Sequence, residues 1–131
     1  GRPQSELRTA ATRPAPTVRG VCLTWPREEL HRRINTRVED MLRRGALDEV
    51  RAAEPVTGAL LKAIGVREIQ AHLRGEVSLA DTIAAIQQAT RRYAKRQMTW
   101  FRREACFQTT CLEGQPTAES VSDLILDALH D

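Results

Sequence analysis

The chain has 131 residues, enough for one modest core but short for a multidomain enzyme. It carries 20 Lys and Arg residues but a formal net charge of only +3, so any strongly basic surface must be local. An odd number of cysteines and three scattered histidines favour a reduced compartment and argue against a metal site built from this chain alone. Apolar runs are short and no signal-peptide layout is present, so we predict a soluble, cytoplasmic protein without membrane association.

The first half of the chain predicts one strand and several helices. Residues 1–17 contain three prolines and three arginines, which indicates a linker or loop remnant without its own core. Alternation over residues 18–25 predicts a strand; no hairpin partner follows it, so we expect its sheet to be supplied elsewhere. Apolar spacing then predicts helices over 26–44, 46–54 and 66–73, with a helical turn or two over 57–63.

The second half is dominated by one long helix, predicted over residues 78–103. Ser78 and Asp81 form a capping-box pattern at its start. A β-prone stretch predicts a short edge strand over 106–112, and an amphipathic pattern predicts a closing helix over 116–129. Together the elements predict a mainly α protein with one or two short strands.

The C-terminal part of the long helix, Thr90–Arg103, is strongly basic and contains no acidic residue. We call it the basic segment. Its basic side chains are Arg91, Arg92, Lys95, Arg96, Arg102 and Arg103. They lie between the members of an apolar stripe, which consists of Leu79, Ile83, Ile86, Thr90, Tyr93, Gln97 and Phe101.

The composition of the basic segment favours an anionic partner over a merely solvated face. No Glu–Lys pairing at i,i+4 spacing balances the positive charge. Thr90 and Gln97 lie within the apolar stripe, where an unpaired buried polar group costs about 1–3 kcal/mol. We therefore expect specific hydrogen-bond partners for both.

Several segments of the sequence resemble the C-terminal part of the tRNA dimethylallyltransferases, also called tRNA isopentenyltransferases. Residues 90–102, TRRYAKRQMTWFR, are similar to the signature of that family almost residue for residue. The order and spacing of further segments also resemble the family, namely residues 1–7, 33–42, 45–50, 63–68 and 73–76.

The resemblance implies the activity of the parent protein. That family transfers a dimethylallyl group from dimethylallyl diphosphate to N6 of the adenosine 3′ of the anticodon, using Mg²⁺ and a P-loop-type core. Residues 18–131 would be the C-terminal portion of an α/β P-loop-type catalytic domain, a monomer whose partner is the tRNA anticodon stem-loop.

Two catalytic segments of the family do not occur in this sequence. None of the seven glycines is followed by Lys, so there is no G-x-x-x-x-G-K-[ST] loop to hold a diphosphate. The Asp-Ser-x-Gln segment that supplies the general base is missing as well. We therefore expect a fragment without the N-terminal half of its domain, with no catalytic residue or metal ligand and no activity by itself.

The resemblance assigns roles to individual positions. Arg37 matches the helix arginine that flanks the diphosphate, a role that suits a planar guanidinium. The tRNA-contacting positions are Arg67, Arg91, Arg92, Lys95, Arg96 and Gln97. Val66 departs from the family, which usually has an aromatic residue there. Tyr93 and Trp100 could stack on an unstacked base, but helix packing is the favoured interpretation.

Three alternatives stay open from the sequence. The chain could be a stand-alone basic helical module that binds nucleic acid without catalysis. It could dock its basic helix on an acidic protein, although no dedicated feature supports this. A transferase acting on free adenine nucleotides would share the core, but it has no need for an extended basic helix.

Overall fold

A computed structural model describes residues 18–130, so the predicted linker over 1–17 lies outside the described residues. The mainly α fold with short strands is confirmed, and each predicted helix and strand is present with ends shifted by at most two residues. The elements are β1 (Gly20–Thr24), α1 (Arg27–Arg43), α2 (Ala46–Ala52), a 3-10 helix (Gly58–Lys62), α3 (Val66–Leu73), α4 (Leu79–Arg103), β2 (Phe107–Cys111) and α5 (Ala118–His130). No helix within 18–130 is long and apolar enough to cross a bilayer.

The chain divides into two compact units. Trp25–Trp100 form one, the helical unit, and residues 18–24 together with 101–130 form the other, the strand unit. Helix α4 runs without a break to Arg103, so its last three residues belong to the strand unit.

The helical unit is held together by one apolar cluster. Its buried members are Val38 of α1, Ala46 of α2, Ile69 of α3 and Ile86 of α4. Partly buried aliphatic side chains surround them, namely Leu42, Leu47, Val50, Leu73 and Ile83. Ile86 is only 1% exposed, so it ties α4 to the centre of the unit, with Ile83 of the same predicted stripe packed beside it.

Glycines end or begin the helices of this unit where the backbone turns sharply. Gly45 between α1 and α2 has φ 110°, and Gly65 before α3 has φ 101°. Most L residues avoid such positive φ values. The Gly65 amide donates to the Glu68 carboxylate at 3.1 Å, which satisfies one free donor at the start of α3.

The start of α4 bears out half of the predicted capping box. The Asp81 amide donates to the Ser78 hydroxyl at 3.1 Å. Thr82, fully buried, donates its own hydroxyl to the Ser78 carbonyl at 2.8 Å, so burial leaves no unpaired polar group there.

The strand unit contains a two-stranded parallel sheet. Strand β1 pairs with β2 in a register that runs from Gly20 opposite Phe107 to Thr24 opposite Cys111. A Cβ atom at Gly20 would overlap the Phe107 ring, so glycine is required at this pairing. The expectation that β1 needs a sheet supplied elsewhere is therefore wrong in one respect: its partner lies in this chain, far along the sequence.

Aromatic and terminal contacts complete the strand unit. The rings of Phe101 and Phe107 meet edge to face, with centroids 5.0 Å apart. Arg19 donates to the carbonyl of Leu129 at 3.1 Å, near the end of α5. Ala128 of α5 is buried against this unit.

Candidate nucleic-acid interface

The basic segment of α4 presents positive charge that no ion pair within residues 18–130 balances. Its basic side chains are exposed except for Arg91, which is half-buried. Within residues 18–130, the arginines that form ion pairs lie elsewhere: Arg32, Arg33, Arg43, Arg51 and Arg74. An exposed row of unpaired cations on one helix is the arrangement that binds phosphate groups of a polyanion.

Arg91 differs from the other basic residues of the segment because α1 already holds it. Its guanidinium donates to the Asn35 side-chain oxygen at 2.8 Å. One helical turn earlier, Gln87 donates to the Asn35 carbonyl at 3.2 Å. Asn35 therefore joins α1 to α4 at the point where the basic segment begins. Sequence reasoning missed this link, since nothing in the spacing pairs residues that are 56 positions apart.

The two polar residues of the apolar stripe behave differently. Thr90 has the expected partner, because its hydroxyl donates to the Ile86 carbonyl at 2.7 Å. Gln97 is exposed, so the expectation that burial forces a partner on it is wrong. As an exposed amide between the arginines, it is free to contact solvent or a ligand.

The aromatic residues of the basic segment also depart from the sequence-based interpretation. Tyr93 is 45% exposed and Trp100 is 54% exposed. Neither ring is fully buried, so about half of each is covered, and the helix-packing interpretation stays a prediction. The Arg96 guanidinium lies 6.0 Å from the centroid of the Tyr93 ring, at the outer limit of a cation–π contact.

Arg37 is an exposed residue of α1. It lies about one turn after Arg32 and Arg33, which form ion pairs with Glu29. The Glu29 carboxylate accepts from Arg32 at 2.6 Å and from Arg33 at 2.8 Å. The hydrogen bond from Arg32 lowers the pKa of Glu29 from its ordinary value, and Arg33 adds to the effect. The Arg33 guanidinium stacks 3.7 Å from the centroid of the Trp25 ring. Arg37 has no ion pair within residues 18–130, so its donors are available to an anion.

Arg67 lies at the edge of a shallow depression of about 280 Å³. Its lining residues come from the end of the 3-10 helix and the start of α3: Leu61, Lys62, Ala63, Ile64, Arg67 and Glu68. Val66, where the family usually has an aromatic residue, is only 8% exposed and packs inside the helical unit. This position therefore offers no exposed ring to a ligand.

Residues 18–130 contain no group of three or more His, Cys, Asp or Glu side chains placed to hold a metal ion.

Comparison with protein families gives a direct match. A family model described as IPP transferase matches residues 1–104. A tRNA dimethylallyltransferase of Caulobacter sp. (strain K31) is 54% identical over 90 residues, which cover 65% of this chain and 29% of the relative. A tRNA dimethylallyltransferase of Heliobacterium modesticaldum is 34% identical and covers 98% of this chain, but only 43% of its own length is matched.

Solved structures give the same result for the fold. The full-length tRNA isopentenylpyrophosphate transferase of Bacillus halodurans superposes with a TM-score of 0.79 at 27% identity, covering 97% of this chain and 43% of that protein. The corresponding enzyme of Staphylococcus epidermidis superposes with a TM-score of 0.69 at 26% identity, covering 97% of this chain and 41% of that protein. The chain therefore spans less than half the length of the relatives that it matches.

Proposed function

Because the chain belongs to the IPP transferase family, we propose that it is the C-terminal portion of a tRNA dimethylallyltransferase and supplies the tRNA-binding surface of that enzyme. The parent reaction moves a dimethylallyl group from its diphosphate ester to N6 of the adenosine 3′ of the anticodon. The observation that carries the proposal is the basic segment of α4, whose mostly exposed basic side chains form no ion pair within residues 18–130 and which lies within the matched residues.

The proposed roles of the chain are binding and orientation. Exposed Arg92, Lys95 and Arg96 contact phosphates of the anticodon stem-loop, and the Gln97 amide adds a hydrogen bond. Arg91 keeps α4 fixed on α1 through Asn35, and its remaining N–H groups face the same RNA. Phosphate contacts of this kind set affinity and register without reading sequence.

The two outlying arginines serve the reacting groups. Arg37 is proposed to flank the diphosphate, where a permanently charged guanidinium offsets negative charge on the leaving group. Arg67, beside Lys62 at the depression before α3, is proposed to contact tRNA.

Chemistry is proposed to depend on residues outside this sequence. The diphosphate-binding loop and the general base are not among these 131 residues, so the chain should have no transferase activity alone. Mg²⁺ would supply charge neutralisation in the parent enzyme, and residues 18–130 contain no cluster of three or more potential ligands for it. Residues 18–131 are thus the C-terminal portion of a catalytic domain, and we expect a cytoplasmic monomer. The stand-alone binding module is not favoured, because the matched relatives are named as transferases.

The experiment is a binding titration of the chain with an RNA hairpin that has an anticodon stem-loop sequence, repeated at several salt concentrations. Lys95→Glu should weaken binding and reduce the slope of log K against log salt by about 1, because a phosphate contact and its released counterion are lost. Arg27→Glu is the matched control: it changes net charge equally, on an exposed residue at the start of α1.

Two results would contradict the proposal. One is failure of the hairpin to bind at low salt. The other is an equal loss of slope in Lys95→Glu and Arg27→Glu, which would mean that net charge alone sets affinity. Incubation with dimethylallyl diphosphate, Mg²⁺ and the hairpin, followed by mass spectrometry of the RNA, tests the expected inactivity.

A further inference from the structure

Arg91 is held in place by an uncharged partner. Its guanidinium donates to the side-chain oxygen of Asn35 at 2.8 Å, although the two residues are 56 positions apart in the sequence. The contact uses one of the five N–H donors of a guanidinium, so the others remain for a second partner. A carboxylate in the place of the Asn35 amide would also have neutralised the cation, whereas the amide oxygen leaves its positive charge in place.

The ion-paired arginines of the chain show the contrast. Within residues 18–130, each of these arginines binds the carboxylate of a near neighbour in the sequence: Arg32, Arg33, Arg43, Arg51 and Arg74. An arginine whose charge is balanced in this way attracts a polyanion less strongly and displaces fewer counterions from it. Arg91 is therefore fixed without being neutralised.

Asn35 contacts α4 at two points. Its backbone carbonyl accepts from the Gln87 side chain at 3.2 Å, and its side-chain oxygen accepts from Arg91 one helical turn later. All three residues are partly buried, so water competes less for these hydrogen bonds than on an open surface. Two contacts one turn apart restrict the rotation and the sliding of α4 against α1, and they order the Arg91 side chain before any ligand binds.

The ordered guanidinium lies in line with an exposed cation. Arg91 and Lys95 are four residues apart on α4, so they differ in direction by only about 40° and lie about 6 Å apart along the axis. Lys95 is exposed and forms no ion pair within residues 18–130. A polyanion that binds this side of α4 therefore meets Arg91 already oriented next to Lys95.

We propose that Asn35 is a positioning residue for RNA binding: it orients Arg91 toward a phosphate group and, being uncharged, leaves the charge of the guanidinium available. The inference rests on the proposed function and adds a residue of α1 that acts through Arg91 without touching the RNA. Immobilising a long side chain on binding lowers affinity by about two- to tenfold, so a side chain that is ordered beforehand binds more tightly.

Asn35→Asp tests the importance of the neutral partner. The variant has nearly the same shape, but its carboxylate pairs with Arg91 and cancels the charge. Affinity for the anticodon stem-loop hairpin should fall about fivefold or more at low salt, and the slope of log K against log salt should fall about as much as in Arg91→Ala. The urea midpoint should not decrease, because the link between α1 and α4 is kept. Gln115→Glu is the matched control: it exchanges amide for carboxylate on an exposed residue outside both helices.

Asn35→Ala tests the ordering of the side chain, because it removes the contact and leaves Arg91 charged. Hairpin affinity should fall about two- to tenfold while the salt slope stays that of the wild type. Asn35→Gln retains a neutral amide oxygen and should recover part of the affinity, again with the wild-type slope. Circular dichroism establishes that each variant is folded.

The outcomes separate this inference from a purely structural contact and from the proposed function. If Asn35→Asp binds the hairpin with wild-type affinity and slope, or loses no more slope than Gln115→Glu, the inference is overturned and the proposed function stands. If Asn35→Asp does not fold, wild-type affinity in Asn35→Ala overturns the inference. If the wild-type chain does not bind the hairpin at low salt, both fail.

Discussion

The two halves of helix α4 have the same periodic pattern but opposite surroundings. In the first half, Thr82 is fully buried and Ile86 is 1% exposed. In the second half, Tyr93 continues the stripe and Trp100 lies at its border, and both are close to half exposed. Periodicity alone therefore does not decide burial; it only decides which residues share a face.

The difference between the halves follows from what packs on them. Val38 of α1 and Ile69 of α3 join Ile86 in one apolar cluster. Beyond Thr90 the apolar cluster has no further member, and exposed cations surround the stripe. The first half thus stabilises the helical unit, and the second half carries most of the exposed cations that we propose as the RNA-binding surface. Substitutions in and around α4 test this picture, beginning with the one of largest expected effect.

Ile86→Ala should destabilise the chain by about 2–4 kcal/mol, because it leaves a cavity at the centre of the cluster. The same truncation two turns later, Tyr93→Ala, should change stability by less than about 1 kcal/mol, since that ring is half exposed. Urea unfolding followed by circular dichroism measures both. Equal losses would contradict the division of α4.

Gly65→Ala should cost about 1–2 kcal/mol, because φ 101° is strained for an L residue although the added Cβ would make only an ordinary contact with Ile86 at 3.6 Å. Gly58→Ala is the comparison, since φ 65° is closer to the left-handed region and its surroundings are open. Its loss should be smaller in the same unfolding assay. A larger loss at Gly58 would mean that backbone strain does not govern this junction.

The elements were predictable from the sequence because their signals are local. Gly45 and Gly65 mark the ends of helical patterns, and Pro26 and Ser78 precede the helices that follow them. The family was predictable as well, since residues 90–102 carry its signature and the match covers residues 1–104. Both signals are readable within short windows.

Contacts between distant residues were not predictable. The pairing of β1 with β2 joins positions such as Gly20 and Phe107, and no local pattern selects a parallel partner so far away. The Asn35–Arg91 link is equally nonlocal. The exposure of Tyr93, Gln97 and Trp100 depends on where the neighbouring helices end. The periodicity of a single helix carries no information about the ends of its neighbours.

The Asn35–Arg91 contact lies at the boundary between the halves, and a double-mutant cycle measures its strength. Asn35→Ala and Arg91→Ala should show a coupling of about 0.5–1.5 kcal/mol in unfolding, as expected for one partly exposed hydrogen bond. The Gln87 contact serves as the internal control, because it uses the Asn35 backbone carbonyl and survives Asn35→Ala.

Measurements of hairpin binding by the same variants show whether Arg91 acts mainly in packing or mainly in RNA binding. Arg91→Ala should reduce the salt slope of hairpin binding less than Lys95→Ala does, because Asn35 already occupies one of its donors. An equal reduction, together with no coupling in the unfolding cycle, would place Arg91 in the RNA-binding half.

The last prediction concerns Arg92 and has the smallest expected effect, but it requires stability and RNA binding to change in opposite directions. Arg92 and Arg96 are like charges at i,i+4 spacing, an arrangement that weakens a helix by a few tenths of a kcal/mol. Arg92→Glu replaces that repulsion with favourable pairs to Lys95 and Arg96, so the free energy of unfolding should rise by about 0.3–0.5 kcal/mol at low salt. Hairpin binding should weaken at the same time, because a phosphate contact is exchanged for a like charge.

Arg92→Gln, which only removes the charge, should give intermediate values in both assays. If Arg92→Glu lowers both stability and binding, Arg92 belongs to the packed half of α4. If stability rises while binding falls, the positive charge of the basic segment favours the ligand and destabilises the fold.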